Sequence, residues 1–145
     1  MPYVRIWVHL IWTTKNRTPM LTDDMRRKIF VHIKENAPKK DIYLDIINGT
    51  SDHIHCLVSL ASEQSIAKVA QLLKGESSHW ANRENLSKTR LEWQDEYIAV
   101  SVSESTVNLV REYIRNQQNH HRKKVFAEEY NEFMVKYGFE ILQKG

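Results

Sequence analysis

One cysteine, three prolines and four glycines stand among 145 residues, and no apolar run approaches the length of a bilayer span. The lone Cys56 excludes an internal disulfide framework and fits a reducing compartment. So few glycines leave no glycine-rich phosphate loop. Without a membrane-length apolar stretch, and without the apolar core of a signal peptide near the N-terminus, the chain reads as a cytoplasmic protein with no membrane contact. It also lacks internal repeats, low-complexity segments and linkers, so residues 1–145 are read as a single domain. What is present is ordinary for a folded domain, with 41% hydrophobic and 27% charged residues. A formal charge of +3 permits a nucleic-acid partner without demanding one.

Hydrophobic periodicity sets the expected element order. Tyr3 to Thr14 alternates, with Val4, Ile6, Val8 and Leu10 on one face and Arg5, Trp7, His9 and Ile11 on the other. That pattern is a long strand with one core face and one face carrying aromatic and basic groups, taken to be open. Thr22 or Asp23 caps a helix to about Asn36 with Met25, Ile29 and Ile33 buried, and Pro38 stops it. Ile42 to Asn48 is a second strand, turning at Asn48-Gly49-Thr50-Ser51-Asp52 into a third. A helix from Ser65 to about Arg83 buries Ile66, Val69, Leu72 and Leu73; Gly75 in its middle costs about 1 kcal/mol relative to alanine. Asn82 to Asp95 is a polar loop in which Trp93 either stacks on a base or plugs the core edge. Ile98 to Ser103 is the fourth strand, with Ile98, Val100 and Val102 inward, and Ser103 or Ser105 caps the helix that follows. The sum is an α+β domain with a ferredoxin-like or RRM-like βαββαβ antiparallel sheet and additional C-terminal helices. One of these spans 104–121 and another 125–137, the latter with Phe126, Tyr130, Phe133 and Met134 on one face.

The stretch Asp52-His53-Ile54-His55-Cys56-Leu57-Val58 carries the chemistry. On a pleated strand His53 and His55 share a face while Ile54, Cys56 and Val58 point to the other. Two imidazoles one step apart can converge on a divalent cation. Far downstream, Val107, Val110 and Ile114 form a helical apolar stripe, and Tyr113 and Gln117 stand at i and i+4 beside it.

The His-Ile-His strand and the later Tyr113-Ile114-Arg115-Asn116-Gln117 run, with Trp93-Gln94, Tyr97 and Ser101-Val102-Ser103 between them, resemble the IS200/IS605-type single-tyrosine transposases of the HUH endonuclease group. The resemblance spans Tyr3 to about His121. It implies a metal-dependent transposase that cleaves and rejoins single-stranded DNA bearing hairpins, through a 5′-phosphotyrosine on Tyr113. His53, His55 and Gln117 would hold Mg²⁺ or Mn²⁺. It further implies a homodimer whose sites are completed in trans by the partner's tyrosine helix. Candidate DNA contacts are Arg5, Trp7, Lys88, Arg90, Arg115, Arg122, Lys123 and Lys124.

Competing readings are a domesticated, repeat-associated HUH nuclease and a catalytically silent module binding single-stranded nucleic acid. The strands lack the RNP-type aromatic consensus, which counts against an RNA-recognition module. A hydrolase using metal-activated water is disfavoured because the sequence places no carboxylate as a general base beside the histidine pair.

Overall fold

The computed structural model describes residues 3–117 together with Glu128 and Asn131, both helical. Seven main elements run in the order β1 (Ile6–Thr13), α1 (Asp23–Asn36), β2 (Tyr43–Gly49), β3 (His53–Leu60), α2 (Ile66–Arg83), β4 (Ile98–Val102) and α3 (Val107–Arg115). The sheet order is β2-β3-β1-β4, and every neighbouring pair is antiparallel. This is the expected βαββαβ α+β architecture. The helix expected over 125–137 lies outside the described residues apart from the two positions named.

Local chemistry accounts for the boundaries. Thr22 caps α1, its hydroxyl accepting from the Met25 amide at 3.2 Å, and Ser65 caps α2 in the same way through Lys68. After α1 a short 3-10 turn over Ala37–Lys40 contains Pro38 and ends at Asp41, whose φ of 58° reverses the chain into β2. The β2–β3 hairpin is closed by the Thr50 amide donating to the His53 carbonyl at 2.9 Å. Gly49 is required there, because a Cβ at this position would lie 2.3 Å from the same carbonyl oxygen.

Two apolar clusters sandwich the sheet. Val8, Leu10, Trp12, Ile54, Cys56 and Val58 face α1 and α2, meeting Met25, Ile29, Ile33, Val69 and Leu73. Trp93 joins this cluster: it stands edge-on to Trp12 at 5.9 Å and donates its indole N–H to Ser77 Oγ at 3.1 Å. It is therefore the core plug, and the loop around it is pinned by Lys74, which donates to the carbonyls of Gln94 at 2.6 Å and Asp95 at 2.8 Å.

The opposite face differs from expectation. It is not open; Trp7, Ile11, Leu57 and Val102 pack there against Val107, Val110 and Ile114 of α3. The alternation in β1 reported two faces correctly but not that both are covered, since only a helix far along the chain supplies the second cover. Ile98, Val100 and Val102 lie on this α3 face, opposite Ile11, His9 and Trp7 of β1. As an edge strand β4 buries only Val102 fully.

Candidate active site at the tyrosine helix

The site forms where α3 lies on the sheet. α3 starts at Val107 after Thr106, not at Ser103 or Ser105, and its α-helical turns run to Arg115; residues 118–121 of the expected 104–121 helix lie outside the described residues. Ser103 instead shares hydrogen bonds with Ser105 and Thr106 at 3.0 and 2.9 Å, a hydroxyl cluster that competes with a simple cap. Gln117 follows Asn116, has 3-10 conformation and is buried, so it stands two residues beyond the helix proper.

Side chains of β2 hold α3 in place. The register between β2 and β3 slips at a bulge between Leu44 and Ile46. This turns both Asp45 and Ile46 toward α3, where strict alternation would have presented one of them. Asp45 receives Arg111 Nε at 2.7 Å and Nη2 at 3.4 Å, and the Arg111 guanidinium lies 5.3 Å over the Trp7 ring. At the other end Asn48 Nδ2 donates to the Arg115 carbonyl at 2.9 Å. Asn48 is the register partner of His55, so this bond brings the end of α3 and the buried Gln117 to the histidine end of the sheet.

His53 and His55 are 3% and 0% exposed, with ring centroids 5.0 Å apart. The half-buried Tyr113 ring stands edge-on to His55 at 5.7 Å and to His9 at 6.1 Å. The sequence pairing of a histidine strand with a distant tyrosine thus becomes a spatial cluster within one chain.

Both histidines are held by their Nδ1 side. His53 Nδ1–H faces Asp52 Oδ1 at 2.6 Å and Thr50 Oγ1 at 2.9 Å, and the Thr50 hydroxyl donates to the same carboxylate oxygen at 3.2 Å. Arg17 Nη2 donates to Asp52 Oδ2 at 3.3 Å. Burial disfavours ionisation of Asp52, but the hydrogen bond and charge of His53, the Arg17 guanidinium and Thr50 outweigh it and hold the carboxyl below its ordinary range. His55 Nδ1 lies 2.9 Å from His9 Nε2 in a hydrogen bond, and burial pushes His9 down to about 3, so it is neutral. Any metal bound by the pair must therefore be met through Nε2 of each ring.

Among the described residues no three His, Cys, Asp or Glu side chains are grouped as a metal site. The donor set that fits a divalent ion is two imidazoles and the Gln117 amide, which leaves such an ion its full charge.

Two participants escaped the sequence reading, Asp52 as the partner of His53 and Arg17; His9, which the alternation of β1 put on the same sheet face near the site, had no role assigned. A carboxylate does stand beside the pair, but it binds the Nδ1 side of His53 and is already engaged, so it orients that ring and is not placed as a general base. Arg17 reaches Asp52 from a turn in which Asn16 and Arg17 both take positive φ, 58° and 54°. Left-handed backbone costs a non-glycine residue about 1–2 kcal/mol. No local pattern flags that strain.

The expected DNA contacts fare unevenly. Trp7 is a correction: it is 5% exposed, its indole N–H donates to Glu104 at 2.6 Å, and it stacks with Arg111, so it packs α3 and offers no open ring to a base. Arg5 is exposed and paired with Glu104 at 3.0 Å. Lys88 and Arg90 are exposed, the latter 3.8 Å from Glu92. Arg115 is exposed and bonded to Glu112. Arg122, Lys123 and Lys124 lie outside the described residues.

Comparison with known proteins places this arrangement. The chain is 26% identical over 119 residues to the ISDra2 transposase TnpA of Deinococcus radiodurans, covering 77% of this chain and 83% of that protein. A crystal structure from Deinococcus radiodurans R1, described as a candidate transposase, superposes with a TM-score of 0.63 at 26% identity, covering 81% of this chain and 95% of that one. A REP-associated tyrosine transposase solved with a REP hairpin shares the fold at a TM-score of 0.53 and 16% identity, over 97% of this chain and 74% of its own. The family profile described as Transposase IS200 like matches residues 3–117, the same span that builds the sheet, α3 and the histidine–tyrosine cluster; the chain belongs to the IS200-like transposase family.

Proposed function

We propose that this transposase cleaves and rejoins single-stranded DNA at hairpin-bearing ends, with Tyr113 as nucleophile. The observation that carries the reading is the convergence of Tyr113 on His55, which stands beside His53, with the buried Gln117 following the end of α3 that Asn48 ties to the same end of the sheet. Its membership of a transposase family and the hairpin bound by the REP-associated neighbour support the substrate class.

His53, His55 and Gln117 would hold Mg²⁺ or Mn²⁺, which supplies Lewis-acid polarisation of the scissile phosphate when bound. Asp52 keeps the His53 ring fixed by accepting its Nδ1 proton. Tyr113 is the attacking group: its Oη forms a bond to phosphorus as the bond to the 3′ oxygen breaks, leaving a 5′-phosphotyrosine and a free 3′-OH. A phenol has a pKa of about 10 and is a weak nucleophile, so accurate placement against a polarised phosphate has to provide the rate. A later 3′-OH attacks the same phosphorus and releases Tyr113, conserving the bond without ATP.

The active form in this reading is a homodimer exchanging tyrosine helices. α3 of this chain rests on its own sheet through Arg111–Asp45 and Asn48–Arg115. A helix swapped across a two-fold axis would meet an identical sheet and re-form the same contacts.

The test is a denaturation-resistant complex between the purified protein and a hairpin-bearing single strand in Mg²⁺ or Mn²⁺. It should form with wild type, vanish in Tyr113→Phe and not form with blunt duplex. A complex that survives in Tyr113→Phe, or equal cleavage of blunt duplex, refutes the mechanism. Mixing His55→Ala with Tyr113→Phe protein should restore cleavage in exchanged heterodimers if sites are shared. No recovery despite confirmed subunit exchange would assign the site to one chain.

A further inference from the structure

His9 lies on β1 opposite Leu57, so it is the diagonal neighbour of His55 on the same face of the sheet. The two rings are tilted by 34° with centroids 5.1 Å apart, and the 2.9 Å contact joins Nε2 of His9 to Nδ1 of His55. His9 is 1% exposed and also stands edge-on to Tyr113, so it touches both the histidine strand and the tyrosine. Its partner in the other half of the site is matched by a different group: His53 Nδ1 meets a carboxylate, whereas His55 Nδ1 meets an imidazole.

The 2.9 Å contact between Nε2 of His9 and Nδ1 of His55 holds one proton, and the direction in which it is donated has consequences. If His9 donates from Nε2, Nδ1 of His55 is the acceptor and the His55 proton sits on Nε2, which then has no lone pair for a cation. If His55 donates from Nδ1, its Nε2 carries the lone pair a metal needs. Resting on the metal reading above, we infer that His9 is the positioning residue for His55: it accepts the Nδ1 proton and fixes the tautomer in which Nε2 of His55 is a ligand. The two ligand imidazoles are then held by unlike acceptors, Asp52 for His53 and His9 for His55. Partners that orient metal-binding histidines typically change metal affinity by about 10–100-fold when removed.

The experiment uses the full-length protein labelled with ¹⁵N-histidine and needs no DNA. Long-range ¹H–¹⁵N correlation spectra of the metal-free protein read the tautomer of each ring, with His55 assigned by its loss in His55→Gln. Mn²⁺ affinity is measured on the same samples from the free-ion EPR signal. The expected result is a proton on Nδ1 of His55 in wild type, a mixed or reversed tautomer in His9→Leu, and Mn²⁺ binding weakened about 10–100-fold in that variant. His9→Gln, whose carbonyl oxygen takes the place of Nε2 as acceptor, should recover both readouts. That recovery separates the proposed role from simple packing, and the wild-type and Gln spectra decide the matter if His9→Leu does not fold. A proton on Nε2 of His55 in wild type, or Mn²⁺ affinity unchanged in folded His9→Leu, overturns the inference while leaving the metal site intact. Wild-type Mn²⁺ affinity no tighter than that of His53→Ala refutes the metal reading itself, and this inference falls with it.

Discussion

The same substitution at two glycines should change stability in opposite directions. At Gly49 an added methyl carbon would sit 2.3 Å from the His53 carbonyl oxygen and 3.0 Å from the Ile54 Cα, both backbone atoms. Relief requires the turn to open by nearly an ångström at the point where the Thr50 amide meets that carbonyl. Losing this buried hydrogen bond costs about 1–3 kcal/mol, and overpacking strain adds about 1–3 kcal/mol. The stiffer unfolded chain returns only about 0.4–1 kcal/mol. Gly49→Ala should therefore lose about 1–6 kcal/mol. At Gly75, exposed within α2, a methyl group meets nothing within 4 Å. Gly75→Ala should gain about 0.5–1 kcal/mol from helix propensity alone. Urea unfolding followed by circular dichroism measures both, with the m-value checking that each transition stays cooperative. Because His53 begins β3 at the distorted turn, Gly49→Ala should also weaken Mn²⁺ binding, and Gly75→Ala should not. A Gly49→Ala protein as stable as wild type would show that the hairpin relaxes without cost, and the close approach would then not explain the glycine.

Other expectations follow from the same contacts. His55→Ala should destabilise the fold by about 1–3 kcal/mol, because the ring is fully buried and its loss leaves His9 facing a void; thermal unfolding that matches wild type would place His55 on an open face. Asp45→Ala and Arg111→Ala should each cost about 1–2 kcal/mol and couple in a double-mutant cycle, since the pair is half-buried and bidentate; additive effects in urea unfolding would show that it does not hold α3. Cys56 is 0% exposed and burial pushes its thiol up, so it should react with a thiol reagent only as fast as the protein unfolds; prompt labelling of native protein would contradict the packing of β3.

Much was legible along the chain because it is written in local periodicity. The 2-residue alternation of β1 and β3, the 3.6-residue stripes of α1, α2 and α3, and the Thr22 and Ser65 caps all act between residues close in sequence. That His53 and His55 share a face opposite Ile54 and Cys56 follows from the pleat alone. The pairing of this strand with Tyr113 and Gln117 was legible only as a resemblance, because no local rule connects residues so far apart. Tertiary structure decided the rest. It closed α3 over the face that β1 had seemed to leave open, which turned Trp7 from a candidate DNA contact into packing and carried His9 into the cluster. It fixed the end of the described α3 at Arg115, whose carbonyl accepts from the Asn48 amide. It also gave Asp52 its role, because the orientation of one imidazole depends on which acceptor the folded chain brings to its second nitrogen, a distance of 2.6 Å that spacing in sequence does not encode.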